Sequence, residues 1–187
     1  PEASTKHLRQ LRQRTRRMET LLDDLLAYSR AGKKPGGVSE VDLQEVVEDA
    51  VELLNLSARF SVECNWQVRR LRGHRTPLET VVRNLVANSV KHHDRGEGSL
   101  RVEAKQCGDM AAITVSDDGP GIDPRYRARV FKMFETLKPR DEVEGSGIGL
   151  ALVKKIVESE GGEVTLDSAE PRGLCVRFTW PLSAVIE

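Results

Sequence analysis

The 187-residue chain carries 29 basic and 29 acidic residues, and 39% of its residues are hydrophobic. A chain of this length and composition can bury one sizeable core and a smaller appendage. The balance of charges excludes a protein whose net field attracts nucleic acid or an anionic membrane. The cysteines lie far apart without C-x-x-C spacing, which disfavours a disulfide framework or a zinc site and favours a reducing compartment: Cys64, Cys107 and Cys175.

No apolar run reaches the roughly 18 residues of a membrane span, and the basic N-terminus lacks the apolar region of a signal peptide. These observations predict a cytoplasmic chain. Because the sequence begins inside a predicted helix, we expect it to come from a longer parent protein, which could itself be attached to a membrane.

A long helix is predicted between residues 4 and 30, where apolar or small residues alternate at spacings of three and four. A helix of this length needs a partner for its apolar seam, and we expect dimerisation through it. The alternative is a single helix packed on the flank of the following domain. The glycine-rich residues 32–37 predict the end of the helix and a linker. The seam comprises Leu8, Leu11, Thr15, Met18, Leu22, Leu25 and Ser29, and is broadened by Leu21 and Leu26.

The remaining chain predicts helices and hairpins in separate runs. Thr76 and Pro77 are expected to open a central helix, and Gly108-Asp109 forms the strongest hairpin turn. This order predicts an α+β fold, a two-layer sandwich, rather than a doubly wound parallel sheet. The predicted helices are 44–56, 76–92 and 148–160, and the predicted strands are 41–43, 61–65, 100–106, 110–116, 163–167 and 174–180.

A glycine-rich motif, EGSGIGLALV at residues 144–153, leads directly into the last predicted helix. Its glycines, Gly145, Gly147 and Gly149, allow backbone amides to approach phosphate oxygens closely. The positive end of the helix that follows attracts the same anion. By itself such a motif is more often an ordinary loop, so the neighbouring motifs decide its meaning.

The helix 76–92 carries polar residues along one edge: Asn84, Asn88, Lys91 and His92. Asparagine is unfavourable in helix interiors, so a pair at i and i+4 indicates a task beyond folding, although chance remains the alternative. A carboxamide oxygen suits Mg²⁺, and a lysine can neutralise phosphate charge. His92 could border this site or interact with the carbonyls at the helix end.

The stretch ITVSDDGPGI at residues 113–122 is a strand that runs into a tight turn. A carboxylate at the strand end, Asp117, can accept a hydrogen bond from the amino group of adenine, which guanine does not offer. A plain turn or an acidic calcium loop would also fit the motif alone. Calcium loops, however, space several carboxylates at alternate positions, and here only two are adjacent.

Taken in order, these motifs and the intervening VFKMF at 130–134 resemble the catalytic ATP-binding domain of sensor histidine kinases of two-component systems. The resemblance spans about residues 40–184, and RRMETLLDDLLAYSR at 16–30 is similar to the second helix of the family's dimerisation domain. It implies the Bergerat ATP-binding sandwich shared with gyrase and the heat-shock chaperone ATPases. The implied division is a partial dimerisation and histidine-phosphotransfer helix at 1–31, a linker at 32–40 and the catalytic domain at 41–187.

The resemblance also implies roles for individual residues. Asn88 would hold Mg²⁺ with Asn84 nearby, Lys91 would contact phosphate, and Asp117 would bind adenine. The implied lid begins at Phe131 and ends at residue 144. The other implied nucleotide contacts are His92, Gly119, Gly121, Ile122, Lys138, Arg140, Gly145, Ser146, Gly147, Ile148, Gly149 and Leu150.

One position indicates phosphoryl transfer rather than hydrolysis. The ATP-hydrolysing relatives carry a glutamate four residues before the metal-binding asparagine, whereas this chain has Asn84, which is a feeble general base. The resemblance implies that the γ-phosphoryl passes to a histidine on the dimerisation domain of the parent, and then to an aspartate of a response regulator. The implied partners are therefore ATP, that histidine domain, a response regulator and a second copy of the parent.

Some positions depart from the family pattern. The phosphoacceptor segment is absent, and His7 lies too close to LLDDLLAYSR to be on the preceding helix, so we reject it as the acceptor. Asp118 replaces the family's common asparagine, Ser89 its alanine, and His74 an aspartate. Two other functions stay open: a protein-serine kinase of the anti-sigma type, and a degenerate nucleotide-binding or dimerisation module without phosphotransfer.

Overall fold

A five-stranded mixed sheet with helices packed on it forms the frame of this computed structural model, which describes residues 2–32, 37–56, 59–137 and 146–183. The helices are α1 (Glu2–Arg30), α2 (Leu43–Leu53), α3 (Arg75–Lys91) and α4 (Gly149–Ser159), with a short 3₁₀ helix at Pro124–Tyr126. The strands are β1 (Ser39–Asp42), β2 (Phe60–Trp66), β3 (Arg70–Gly73), β4 (Gly98–Cys107), β5 (Met110–Asp117), β6 (Val164–Ser168) and β7 (Leu174–Pro181).

The large sheet has the strand order β2-β4-β5-β7-β6. Only the β2–β4 pair is parallel, and the other three pairs are antiparallel. In β5 every second residue is buried, which is the period of a strand with one face on the core. The predicted two-layer α+β sandwich is therefore confirmed, and the helices α3 and α4 pack beside each other on the sheet.

The core lies between the sheet and these helices. Leu78, Val81 and Leu85 of α3 are almost completely buried, at the spacing of one helix face. Phe178 and Trp180 of β7 are the largest fully buried side chains opposite them, with their rings edge to face at 6.2 Å between centroids. Burial of such aromatic side chains dominates the energetics of a domain this small.

The start of α3 corrects a sequence prediction. The helix begins at Arg75, and His74 is the N-cap residue without a side-chain cap, so Thr76 does not cap it. Arg75 instead anchors the first turn through ion pairs with Glu45 and Asp49 of α2, at 3.0 and 2.8 Å. Contacts with another helix therefore replace the local capping that the sequence indicated.

The strand β3 was not predicted, because RLRG has four residues with only one large apolar side chain, too few to establish an alternation. It forms through antiparallel pairing with β1, in which Val41 lies opposite Leu71. The predicted helix 44–56 also ends early, at Leu53. Two residues later, Asn55 takes a positive φ of 51°. A left-handed residue of this kind ends a helix.

The helix α1 contacts the rest of the chain near its C-terminus. The Lys155 ammonium donates to the Tyr28 carbonyl at 2.8 Å and lies 4.2 Å from the centre of the Tyr28 ring. The large apolar residues of the predicted seam are 43–63% exposed: Leu8, Leu11, Met18, Leu22, Leu25 and Leu26. Dimerisation through this seam stays a prediction. Within the described residues, no helix combines the length and the apolar character that crossing a membrane requires.

The buried aromatic pair gives a test of the core. We expect Phe178→Ala to lower the free energy of unfolding by about 3–5 kcal/mol, because it leaves a cavity in the core between the sheet and the helices. Urea denaturation measures the change. The matched control is Leu53→Ala at a 63% exposed side chain, which should change stability by no more than about 0.5 kcal/mol. Equal effects of the two substitutions would contradict this placement of the core.

Candidate functional site

A cavity of about 350 Å³ lies between α3, the turn after β5 and the N-terminus of α4. It is lined by residues from three motifs that are far apart in the sequence. The predicted site residues that line it are Asn84, Asn88, Lys91, His92, Asp117, Gly121, Ile122, Ser146, Gly147, Gly149 and Leu150. The structure thus brings the asparagine helix, the acidic turn and the glycine motif to one place.

The two asparagines of α3 face the first residue of α4. Asn84 donates from Nδ2 to the Thr80 carbonyl at 2.7 Å, which turns its side-chain oxygen away from that bond. A Cβ atom built on Gly149 would lie 3.3 Å from that oxygen and 3.6 Å from the Asn88 oxygen. Two hard oxygen donors therefore lie beside a helix N-terminus, an arrangement that suits a divalent cation held by phosphate.

The carboxylate of Asp117 is 9% exposed and held in one orientation. Its Oδ1 accepts hydrogen bonds from the backbone amides of Gly119 at 3.0 Å and Leu174 at 3.1 Å. Its Oδ2 accepts no hydrogen bond from any residue that the structure describes. Apolar side chains of Ile122 and Val176 line the cavity beside it. A buried slot with one available carboxylate oxygen can bind a flat, apolar ring that carries an amino group.

The glycine motif begins α4 and closes on the segment before it. Gly147 has a φ of 70°, and its carbonyl accepts a hydrogen bond from the Phe134 amide at 2.9 Å. The Ser146 hydroxyl accepts from the amide of Ile148 at 3.1 Å. Phe134, within the predicted lid, and Gly147, just after it, are therefore held together. The predicted contacts Lys138, Arg140 and Gly145 lie outside the described residues.

Three predicted site residues do not line the cavity. The Ile148 side chain is fully buried in the core, so it anchors the start of α4 instead. Phe131 packs against the core, and the Lys154 ammonium lies 5.7 Å from the centre of its ring. Gly119 lies behind Asp117, where a Cβ atom would be 3.0 Å from the Asp117 Oδ1. The glycine pattern could not separate Ile148 from its neighbours, because a glycine-rich turn has no regular period that would show which residue faces the core.

Some lining residues were not predicted at all. Leu174 and Val176 lie on one face of β7, and alternation of that strand predicts a shared face but not which cavity it meets. Asp24 reaches the cavity from α1, and nothing in the local sequence indicates that contact. The other unpredicted lining residues are Leu85, Ala87, Ser89, Pro120, Val130, Glu135, Thr136 and Leu137.

Metal binding by acidic or sulfur clusters finds no support in residues 2–32, 37–56, 59–137 and 146–183. No group of three or more His, Cys, Asp or Glu residues there could hold a metal ion. A carboxamide oxygen is a different kind of ligand, and it suits Mg²⁺, which shares its other coordination positions with water and a bound anion.

The sequence of this region matches a known family. The family model described as histidine kinase-, DNA gyrase B-, and HSP90-like ATPase matches residues 73–184, which include every lining residue except Asp24. The chain belongs to this ATPase family. The family is one of ATP-binding domains, and the observed sheet and helices are the fold of its histidine kinase members.

Individual members of the family extend the match. The methanogenesis regulatory histidine kinase FilI of Methanothrix harundinacea is 34% identical over 171 residues, covering 88% of this chain and 19% of that protein. The solved mycobacterial sensor histidine kinase MprB is 28% identical, with a TM-score of 0.67 over 80% of this chain and 100% of that one.

A third match includes α1. The histidine kinase ThkA, solved in complex with the response regulator protein TrrA, has a TM-score of 0.72 at 22% identity and covers 98% of this chain and 53% of that one. The chain spans about a fifth of the length of the first curated relatives, 22%, 19% and 22% of each.

Gly147 offers a test of the closed ends of the glycine segment. A Cβ atom there would lie 2.8 Å from the Glu135 carbonyl oxygen, in addition to the strain of a positive φ. We expect Gly147→Ala to lower the free energy of unfolding by about 2 kcal/mol or more and to raise amide exchange at Phe134. Urea denaturation and hydrogen exchange measure the two effects.

Gly96 is the matched control, because its φ is 72° and an added Cβ meets nothing within 4 Å. Gly96→Ala should therefore show the strain of the left-handed backbone alone, about 1 kcal/mol, with the Phe134 amide unaffected. If both substitutions have the same effect, the close approach of Gly147 to Glu135 is wrong.

Proposed function

We propose that the chain is the catalytic ATP-binding domain of a sensor histidine kinase, which transfers the γ-phosphoryl group of ATP to a histidine on a dimerisation domain for relay to a response-regulator aspartate. The observation that carries the proposal is the convergence on one cavity of the Asp117 carboxylate, the two α3 asparagines and the N-terminus of α4. We place this domain in the cytoplasm, where ATP is consumed and cysteines stay reduced.

The base and phosphate ends of the nucleotide are distinguished by chemistry. The available oxygen of Asp117 accepts from the adenine amino group, and the apolar side chains of Ile122 and Val176 pack on the ring. We assign the phosphate end to the amides at the start of α4 and to the Lys91 side chain, which also line the cavity. The nucleotide therefore lies along α3, with its phosphates beside Asn88.

Mg²⁺ fits the donors at the phosphate end. Asn88 and Asn84 offer neutral carboxamide oxygens, and the described acidic residues form no metal cluster that would compete with them. A bound Mg²⁺ would neutralise charge on the phosphate oxygens during transfer. The role of the protein is to orient the chain of phosphates for transfer. Because Asn84 is a weak base, it does not activate a water molecule for hydrolysis of ATP.

Transfer to histidine rather than serine is supported by α1. Its long apolar seam is exposed, as expected for a helix that pairs outside the catalytic domain. The fold shared with ThkA extends over 98% of this chain, and so includes this helix. A serine kinase of the anti-sigma type has no use for such a helix, and a degenerate module has no need of intact nucleotide ligands.

Calorimetry with Asn88→Ala tests the nucleotide site. We expect Mg²⁺-ATP affinity to fall about 10- to 100-fold, because the substitution removes an oxygen ligand of the cation. The difference from the wild-type chain should disappear when EDTA replaces Mg²⁺. Asn65→Ala, on the exposed face of β2, is the matched control and should bind as the wild type does. Equal affinity of the Asn88→Ala and wild-type chains would favour the degenerate module.

Incubation with radiolabelled ATP tests the acceptor. We expect no phosphorylation of the chain alone, because His7 is not the acceptor, and transfer to an added dimerisation domain that carries a histidine. The product should be acid-labile, as phosphohistidine is. Acid-labile label on the chain alone, lost in His7→Ala, would overturn the assignment of His7. Acid-stable phosphoserine on an added substrate would favour the serine kinase.

A further inference from the structure

A second carboxylate, Asp118, lies directly behind the adenine-binding turn and does not line the cavity. Its Oδ1 accepts a hydrogen bond from the Ser99 amide at 2.7 Å and lies 3.1 Å from Nε2 of His93. These donors, the Ser99 amide first, hold the pKa of the Asp118 carboxyl below its ordinary value. One oxygen atom therefore joins the turn after β5 to the start of β4 and to the segment after α3.

The contacts of His93 define its tautomer. The side chain is completely buried, and its Nδ1 accepts a hydrogen bond from the Arg95 amide at 3.2 Å. Nδ1 is therefore unprotonated, and the proton of the neutral ring is on Nε2, from which it is donated to Asp118. The ring also packs edge to face on Phe60, at 5.3 Å between centroids. The Asp94 Oδ1 lies 3.9 Å from Nδ1, beyond hydrogen-bonding distance, so Asp118 is the carboxylate that accepts a hydrogen bond from His93.

Two glycines enclose this pair. A Cβ atom on Gly98 would lie 2.5 Å from His93 Nε2 and 2.6 Å from Asp118 Oδ1, so the backbone of β4 covers the hydrogen bond. A Cβ atom on Gly119 would lie 3.3 Å from His93 Cδ2 and 3.0 Å from Asp117 Oδ1. Gly119 is therefore packed between the imidazole and the adenine-binding carboxylate. Movement of the ring would move the amide that orients Asp117.

We propose that His93 is a positioning residue for adenine recognition. Through its Nε2–H bond to Asp118, it holds residues 117–119 so that the available oxygen of Asp117 faces the cavity. The inference rests on the proposed function and adds to it a residue that touches no nucleotide. Hydrogen bonds to a charged acceptor are stronger than neutral ones, so this bond can determine the geometry of the turn.

Burial alone is the competing explanation, and the chain contains a control for it. His74 and Glu160 form another histidine–carboxylate pair, at 3.3 Å with side chains 7% and 6% exposed, whereas the Asp118 side chain of the first pair is 35% exposed. This pair joins the N-cap of α3 to the C-cap of α4 and does not line the cavity. Loss of either pair should reduce stability, but only loss of the His93 pair should change the preference between nucleotides.

The experiment compares His93→Phe with His93→Gln in the full chain. Phenylalanine retains the ring against Phe60 but donates nothing, whereas glutamine can still donate from its amide nitrogen to Asp118. ATP and GTP affinities are measured by calorimetry with Mg²⁺. We expect His93→Phe to weaken ATP binding about tenfold with little change in GTP binding. The ratio of ATP affinity to GTP affinity should therefore fall by the same factor. His93→Gln should recover most of the preference.

Asp118 provides a second pair of variants if His93→Phe does not fold. Asp118→Ala removes the acceptor and should narrow the preference as His93→Phe does. Asp118→Asn retains an oxygen that can accept from both donors, and should keep the preference. His74→Phe should lower the thermal unfolding temperature and leave the ratio of ATP to GTP affinity unchanged.

The outcomes separate the inference from the proposed function. If the wild-type chain does not prefer ATP, or if Asp117→Asn leaves that preference intact, the proposed adenine site is wrong and the inference falls with it. If Asp117→Asn removes the preference but His93→Phe or Asp118→Ala leaves it unchanged, only the positioning role is wrong. A change in preference in His74→Phe equal to that in His93→Phe would also overturn the positioning role.

Discussion

The position at which β5 ends is the constraint on which the site depends. β5 is paired along its length with β4 on one side and β7 on the other, so Asp117 lies opposite Leu100 and Ser116 lies opposite Cys175. The Leu174 amide, one residue before that pair, reaches the Asp117 carboxylate. Because side chains alternate across a strand, a slip of one residue would direct Asp117 away from the helices and the cavity would lose its carboxylate.

The close approach between the chain before β7 and the end of β5 explains why a glycine precedes β7. A Cβ atom on Gly173 would lie 1.7 Å from the Asp117 carbonyl oxygen, so only glycine allows the two backbones to meet there. Its φ of 116° is also a conformation that other residues rarely adopt. The Asp117 carboxylate is therefore oriented by backbone amides on neighbouring segments, which lose no side-chain entropy when they do so.

The helix α3 carries core residues on one face and the two asparagines on the adjacent edge. Its apolar face, with Leu78, Val81 and Leu85, packs on the sheet and secures its position. The adjacent edge carries Asn84 and Asn88, which cost helix propensity and are tolerated because tertiary packing stabilises the helix. The packing of α3 on the core thus keeps the two carboxamides close to the start of α4.

Local patterns in the sequence predicted the element types and the motifs. Apolar periods of 3.6 and 2 residues identified α3, α4, β4 and β5, the Gly108-Asp109 turn identified the hairpin, and residue chemistry identified Asp117, Asn84 and Asn88 as members of a site. These features are local, since each depends on residues within a few positions of one another. They could therefore be predicted without knowledge of the partners that each element meets.

Contacts between distant groups follow from the fold and could not be predicted from local patterns. It placed Asp24 of α1 at the cavity, directed Ile148 into the core, paired the sparsely apolar β3 with β1, and joined His93 to Asp118 across 25 residues. Sheet register and helix packing set these contacts, and both are determined by the burial of apolar surface over the whole domain. A histidine in the sequence indicates a possible hydrogen-bond donor, but the fold determines which carboxylate accepts the bond.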